Sequence, residues 1–451
     1  TADGACIPWT PITDQQVSST SAIRLHSILR AVPGNLDVVG GEMLNAIPAG
    51  WRTEADLQLH DAISPEQRAK QLGYDTHPVY TYRTAEMLRP HLRRVWGRDW
   101  VDQVMGCHMA NPSDVFRAMA DGDPYPIKAF FTLGNNTLLS YPNQHRVHRA
   151  LMQQELIVAH EITMTPTAML ADYVLPGDVF TERPHIADTW AWGNRLTLSE
   201  RVVDAPPEAS STFRFWTDLG RRMGFAEHFP WDDLEALLDH RLEPSGRTFE
   251  SFAASTVMEQ APAAYRKYRK TGFATPSGKV ELSSSILGDL GFDPLPYHRD
   301  APPPNEAYPY RVFTGVREDP FFQTGQRDVR VLRRRSPAPR IFLHPDDATR
   351  DGLADGAWAR VETATGAVVA KVSVQTTMQP GHVRVPHGWW YPETRGTIEL
   401  AGAFVSSDAV LCSDDDEFLD AEQGTPHFKG FAGRVVPCDA PAGMSAITLE
   451  G

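Results

Sequence analysis

After the proline-rich stretch 294–309 the chain becomes a succession of short apolar runs separated by glycine turns, and this pattern restricts the fold more than any other feature. Residues 310–316, 340–343, 357–363, 368–374 and 382–385 each read as a strand. In the fourth, Val368, Ala370, Val372 and Val374 alternate with Lys371 and Ser373, which makes one face apolar and the other wet. Thr365-Gly366 supplies the hairpin turn that leads into it. Short strands at this density need their edges paired, so residues 301–451 are predicted to close into a β-barrel.

Residues 1–300 read differently. A buried strand over 127–133, the turn Gly134-Asn135-Asn136, a helix over 144–153 and a strand over 156–159 give the strand–turn–helix–strand order of doubly wound α/β folds. Upstream, Ser18 to Ser21 offer N-caps to a helix whose apolar stripe is Ala22, Leu25, Leu29 and Val32, ended by Pro33-Gly34. A later helix places Phe213, Trp216, Leu219 and Met223 on one face. Residues 50–125 are punctuated by proline and show no clear period.

Charge and cysteine usage exclude several functions. With 43 basic against 57 acidic residues the chain carries −14 and has no basic stripe, which argues against a nucleic-acid surface. Its one compact basic run, Arg333 to Arg335, reads as a solvated loop. Cys6, Cys107, Cys412 and Cys438 form no CxxC pair, so this chain's cysteines alone bind neither zinc nor an iron–sulfur cluster. No apolar run is long enough for a membrane span.

Local motifs give little by themselves. His160-Glu161 begins like a zinc-protease helix, but Met164 stands where the second histidine belongs. His145 and His148 lie one helical turn apart without a third ligand, and the run Ser413 to Asp416 reads as a solvated turn. Dinucleotide-fold, Walker and hydrolase-elbow glycine patterns are all missing from the sequence. Alone, Gly134-Asn135-Asn136 is a turn, and the aromatics of His387-Gly388-Trp389-Trp390-Tyr391-Pro392 are core packing.

Taken in order, the segments resemble the molybdopterin oxidoreductases of the dimethyl-sulfoxide-reductase superfamily. Asp14-Gln15 and the run Gly34-Asn35-Leu36-Asp37-Val38-Val39-Gly40-Gly41 are similar to that family's Gly-Asn-Leu-Asp-Val-Pro-Gly-Gly region. Leu133-Gly134-Asn135-Asn136 with Ser140 and Pro142 resembles its Gly-x-Asn-Pro loop. Glu161 to Thr167 followed by Ala171-Asp172-Tyr173-Val174-Leu175-Pro176, and Thr275-Pro276-Ser277-Gly278-Lys279-Val280-Glu281, are similar to two further stretches. Thr314-Gly315, Arg317, Phe321-Phe322-Gln323-Thr324, Arg327, His344-Pro345, Asp347-Ala348, Gly352, Asp355-Gly356 and residues 386–392 complete the series. The His-Gly-Trp-Trp-x-Pro-Glu ending at Glu393 is similar to the thiosulfate/polysulfide-reductase and acetylene-hydratase-like branch.

The resemblance implies a doubly wound α/β cofactor-binding lobe followed by a double-psi β-barrel. It also implies a bis-molybdopterin guanine dinucleotide carrying molybdenum or tungsten, since soft sulfur ligands suit a metal that changes oxidation state. Gly134, Asn135, Asn136, Glu161 and Thr165 would then read the guanosine. Thr314, Gly315, Arg317, Gln323, Thr324, Arg327, His387 and Gly388 would face pyrophosphate and pterin, with Trp389 and Trp390 as walls.

Some positions depart from the family. Gln323 and Thr324 replace its His-Ser, and Ser407-Asp408-Ala409 stands at one of its pterin contacts. Its cysteine cluster, expected to hold a [4Fe-4S] centre, and its protein ligand to the metal precede the stretch matched here at Gly34. The expectation is therefore a C-terminal portion, inactive by itself, of an oxidoreductase acting on a small molecule, with an iron–sulfur electron-transfer subunit as a partner. The alternatives are a non-redox hydratase and a cofactor-binding subunit completed by a separately encoded chain. The metal ligand, the substrate and the compartment stay open.

Overall fold

The structure, a computed structural model, describes residues 4–8, 10–44, 50–101, 109–188, 195–255, 257–259 and 263–444, so Cys107 lies outside the described residues. The chain divides into two compact units. One comprises Thr1–Thr10, Thr20–Asn111 and Pro176–His298; the other comprises Pro11–Ser19, Pro112–Leu175 and Arg299–Gly451. The sequence boundary near 300 follows chain order, whereas contacts group the α/β segment from Pro112 with the barrel.

That α/β segment is a three-stranded sheet in the order β1 (Ala129–Leu133), β2 (Leu156–Glu161), β3 (Tyr173–Pro176). β1 and β2 run parallel, with Leu133 opposite His160 at their ends. The crossover includes the helix Gln144–Met152, capped by Asn143, whose side chain accepts from the Arg146 N–H. It buries Val147, Ala150 and Leu151 against Leu138, Leu139 and Ile157, and Phe116 and Met119 join them from the helix Pro112–Asp121.

In the other unit β4 (His185–Asp188), β5 (Arg195–Ser199) and β6 (Val257–Glu259) form an antiparallel sheet. Residues 50–125 prove to hold several helices, among them Tyr82–Trp96, whose interior Pro90 conceals it from a sequence reading. Two apolar stripes face outward instead of inward. In the helix Ser19–Ala31, Leu25 and Leu29 are exposed, and Val32 just beyond it is too; the polar first turn Ser19 to Ser21 is buried instead, with Ser21 accepting from the Tyr297 N–H. In the helix Thr212–Arg222, Trp216 is exposed, as is Met223 that follows it, because the helix packs through Gly220 onto the Phe229 ring.

The barrel is closed by six strands: β7 (Tyr310–Val316), β8 (Arg340–Leu343), β9 (Trp358–Glu362), β10 (Ala367–Val374), β11 (His382–Pro386) and β12 (Lys429–Pro437). Their order around the wall is β10-β8-β11-β7-β12-β9. β7 pairs β11 and β8 pairs β10 in parallel, while β12 closes the wall antiparallel to both β7 and β9. Alternation sends Tyr310, Val312, Val368, Ala370, Val372, Val383 and Val385 inward as expected. Sequence reading missed β12, where Gly430 and Gly433 interrupt the apolar run.

Two expectations about charge are corrected. Arg333 lies in the short helix Arg330–Arg335, not in a solvated loop, and is 2% exposed. Its guanidinium donates to the carbonyls of Ser336 and Pro337, pairs with Glu393 at 2.5 Å and lies over the rings of Trp389 and Tyr391. Asp414, read as part of a solvated turn, is buried and accepts from Asn143 Nδ2 at 2.8 Å and from Arg146 at 2.5 Å. A partner more than 250 residues away cannot be read from local composition.

Candidate cofactor site

The loop after β1 stands at the carboxyl ends of two parallel strands, where open α/β sheets offer a crevice. Gly134 donates to the carbonyl of His160 at 3.0 Å, which ties that loop to the end of β2. Its φ of +63° suits glycine, and no heavy atom lies within 4 Å of where a Cβ would project, so the backbone there is open to approach. Asn135 donates weakly to Tyr141 Oη at 3.5 Å. Asn136 is buried and braces the loop: its Oδ1 accepts from Thr167 Oγ1 at 2.8 Å, and its Nδ2 has no protein partner. Thr165 Oγ1 is taken up by the Ala168 N–H at 3.2 Å. Glu161 ends β2, and burial raises its carboxyl pKa above the ordinary value.

The second group lies at the ends of β7 and β11. Thr314 is fully buried, its hydroxyl donating to the Phe428 carbonyl at 2.9 Å. Next to it Gly315 gives its N–H to Asp408 Oδ2 at 2.7 Å. From β11, Gly388 gives its N–H to Asp408 Oδ1 at 2.8 Å, and His387 Nδ1 lies 3.2 Å from both oxygens. Asp408 is 1% exposed. Burial by itself would raise its pKa, but the facing His387 and the two glycine amides bring it below the ordinary carboxylate value.

Around this node the remaining candidates close in. Gly388 sits at φ +61°, and any Cβ there would collide with the Thr324 side chain. The Thr324 carbonyl accepts from Trp390 Nε1 at 2.9 Å. Arg327 is buried, donates to the His387 carbonyl at 3.0 Å and rests over Phe321 and Trp389. Desolvation lowers its pKa to about 9, which still leaves it cationic at neutral pH, and its Nε has no protein partner. The Gln323 amide, oriented to accept, takes Arg317 Nε at 3.1 Å, and Arg317 lies over the Phe322 ring.

Trp390 packs with Leu138 and Leu139 of the α/β segment, and Trp389 with Phe321, Tyr391 and Met444. Arg395, over the Trp390 ring, donates to the Met164 carbonyl beside Thr165 and so links the two groups. His145 and His148 instead pack on the ring of Phe404. Among the described residues no cluster of three or more His, Cys, Asp or Glu side chains forms a metal site, and no helix is long and apolar enough to cross a membrane.

Residues 312–431 match the molydopterin dinucleotide binding domain, and residues 103–222 match the molybdopterin oxidoreductase family. The chain belongs to the molybdopterin oxidoreductases. Among relatives of this family, the chain is 41% identical over 440 residues to acetylene hydratase of Syntrophotalea acetylenica, an alignment covering 95% of the chain and 60% of that protein. It is 26% identical over 317 residues to dimethyl sulfoxide reductase DmsA of Escherichia coli K12, covering 61% and 38% of the two chains. The solved acetylene hydratase from Pelobacter acetylenicus superposes with a TM-score of 0.91 at 40% identity, over 97% of this chain and 61% of that one. The chain therefore spans about 60% of the length of the hydratases it matches.

A molybdopterin cofactor fits what the chain presents. Buried Arg327 and Asn136 keep unpartnered N–H groups, Gly134 leaves its backbone open, and Arg317 adds a donor suited to a polyanion. Asp408 is the residue that sequence reasoning left out of the site. The one available signal was the departure of Ser407-Asp408-Ala409 from the family pattern.

Proposed function

We propose that this chain grips the dinucleotide of a molybdenum- or tungsten-bearing molybdopterin cofactor in an enzyme that adds water to a small unsaturated molecule. The observation carrying this reading is the 41% identity with an acetylene hydratase along 95% of the chain. The cofactor supplies a metal that can orient and activate water. The chain's own share is binding and orientation: Gly134, Asn135 and Glu161 read the guanosine end, Arg317 and Arg327 hold the polar groups nearer the metal, and Asp408 fixes the His387 ring beside them. Trp389 and Trp390 back this surface from the core and keep bulk water from entering behind it.

Two-electron redox chemistry on a small substrate is the second reading, supported by relatives such as dimethyl sulfoxide reductase. Only that reading calls for an electron-transfer partner subunit. The two differ in electron demand, since hydration consumes none. The test uses the protein made from its complete natural reading frame in a host that assembles the cofactor. It is given acetylene in the presence and absence of an artificial electron donor. Carbonyl product at equal rates in both conditions supports hydration. No turnover of acetylene, with donor-dependent reduction of N-oxides or S-oxides, would overturn it in favour of the redox reading.

A further inference from the structure

Asp408 is a buried carboxylate with no surface role, and every hydrogen bond its side chain accepts comes from the proposed cofactor cradle. Gly315 and Gly388 each fill one oxygen, and His387 Nδ1 faces both. The three donors arrive from the ends of two neighbouring strands, β7 and β11, which are 93 and 20 to 21 residues from Asp408 in sequence. His387 is fixed on its other sides as well: its N–H donates to the Val316 carbonyl at 2.9 Å, and its carbonyl accepts from Arg327. With Nδ1 committed to a carboxylate, the tautomer is set and Nε2 is the free edge of the ring. No side chain other than a carboxylate serves here. An asparagine in the same place would turn an NH2 group toward one of the glycine N–H donors.

We infer that Asp408 is the positioning residue of the cofactor cradle, holding His387 with Nε2 free for the ligand while locking the Gly315 and Gly388 amides. This rests on the reading that a molybdopterin dinucleotide occupies the cradle. Asp408 acts through the His387 ring and the loop backbone it fixes, and does not touch the ligand itself. It also accounts for the departure from the family pattern: a carboxylate at this position fixes two strand ends and the His387 ring beside an adjoining site instead of making a contact of its own.

The test compares wild type with Asp408→Asn, both produced at full natural length in a cofactor-assembling host. Two quantities are read: metal and released guanine nucleotide per chain, and the 15N chemical shifts of the His387 ring, assigned by difference from His387→Gln. The wild type is expected to show the Nδ1–H tautomer. Asp408→Asn is expected to lose that signature and to retain at least about tenfold less cofactor, the size of effect set by a mispaired buried donor. An unchanged ring signature in Asp408→Asn overturns the inference, whether or not cofactor is lost. If Asp408→Asn does not fold, His387→Gln decides: cofactor loss at an unchanged melting temperature supports the inference, and full retention overturns it. Wild type free of guanine nucleotide would instead remove the cofactor reading, and the inference with it.

Discussion

The wall of the barrel and the loops at the ends of β7 and β11 are both buried, but by opposite means. The wall buries Val312, Ile341, Leu343, Ala359, Val361 and Val383, all fully inaccessible and all apolar. The loops bury Asp408, Arg327, Arg333 and Glu318, each needing partners to offset its desolvation. Ser336 and Arg340 both donate to Glu318 Oε1, and Arg333 pairs with Glu393. A wall of hydrocarbon is stabilised by its own transfer out of water, whatever the ligand state. A ring of buried charges holds donors in fixed directions, which suits a polyanionic ligand and adds little stability of its own.

Substitutions sharpen that contrast. Leu343→Ala should cost roughly 2–5 kcal/mol, because the rigid wall cannot collapse onto the cavity. The urea midpoint measures it, and a loss below about 1 kcal/mol would mean that the wall repacks freely. In the loops, Glu393→Gln should cost about 3 kcal/mol by leaving the Arg333 guanidinium without its carboxylate. The double change Arg333→Met with Glu393→Met should recover most of that loss, since the pair is costly to break and cheap to replace. No recovery in the double variant would show that the pair itself stabilises the fold.

His427 is the exception that tests the wall from within. It is buried between the rings of Phe418 and Phe431, and neither ring nitrogen has a partner. Desolvation first, then Arg311, Lys429 and Arg299, lower its pKa from 6.5 to about 4. The unfolded chain therefore takes up a proton that the folded chain refuses. Stability should be fully present above the unfolded value, and should fall as the pH drops from about 6.5 to about 4. The loss is on the order of 3 kcal/mol, with nothing further from this group at lower pH. His427→Phe should flatten that slope, as chemical denaturation at several pH values would show; an identical slope would locate the titration elsewhere.

The same contrast explains what could be read in the sequence. Five of the six barrel strands were legible because short apolar runs between turns carry them, alternating in β7 and β10 and unbroken in β8. β12 was not, because glycines stand where apolar residues would have marked it. The α/β crossover around Gly134 was equally plain, since its strand, turn and helix follow one another directly. The node at Asp408 was invisible for a physical reason. Its donors come from residues 315, 387 and 388, and a single acidic residue after serines looks like a turn until those strands are paired. Arg333 misled for the same reason, with Glu393 lying 60 residues away. The exposed Leu25, Leu29 and Trp216 mark the reverse error, in which a correct helical period says nothing about which face is covered.

The smallest expected effect closes the comparison, because it holds the chemistry of an ion pair fixed and changes only its surroundings. On the outer face of the barrel, Arg434 pairs with Glu362 at 2.5 Å, and Arg360 lies against the same carboxylate. Arg434 is half exposed, and Glu362 keeps a second cation if one is removed. Arg434→Gln should therefore cost at most about 1 kcal/mol, and less in high salt, because Arg360 still pairs with Glu362 and the cation removed is half in solvent. Glu393→Gln should show little salt dependence, since the charge it uncovers lies where ions do not reach. Equal losses in the two variants, or equal responses to salt, would mean that burial does not set the strength of these pairs. The distinction drawn between wall and loops would then fail at its simplest point.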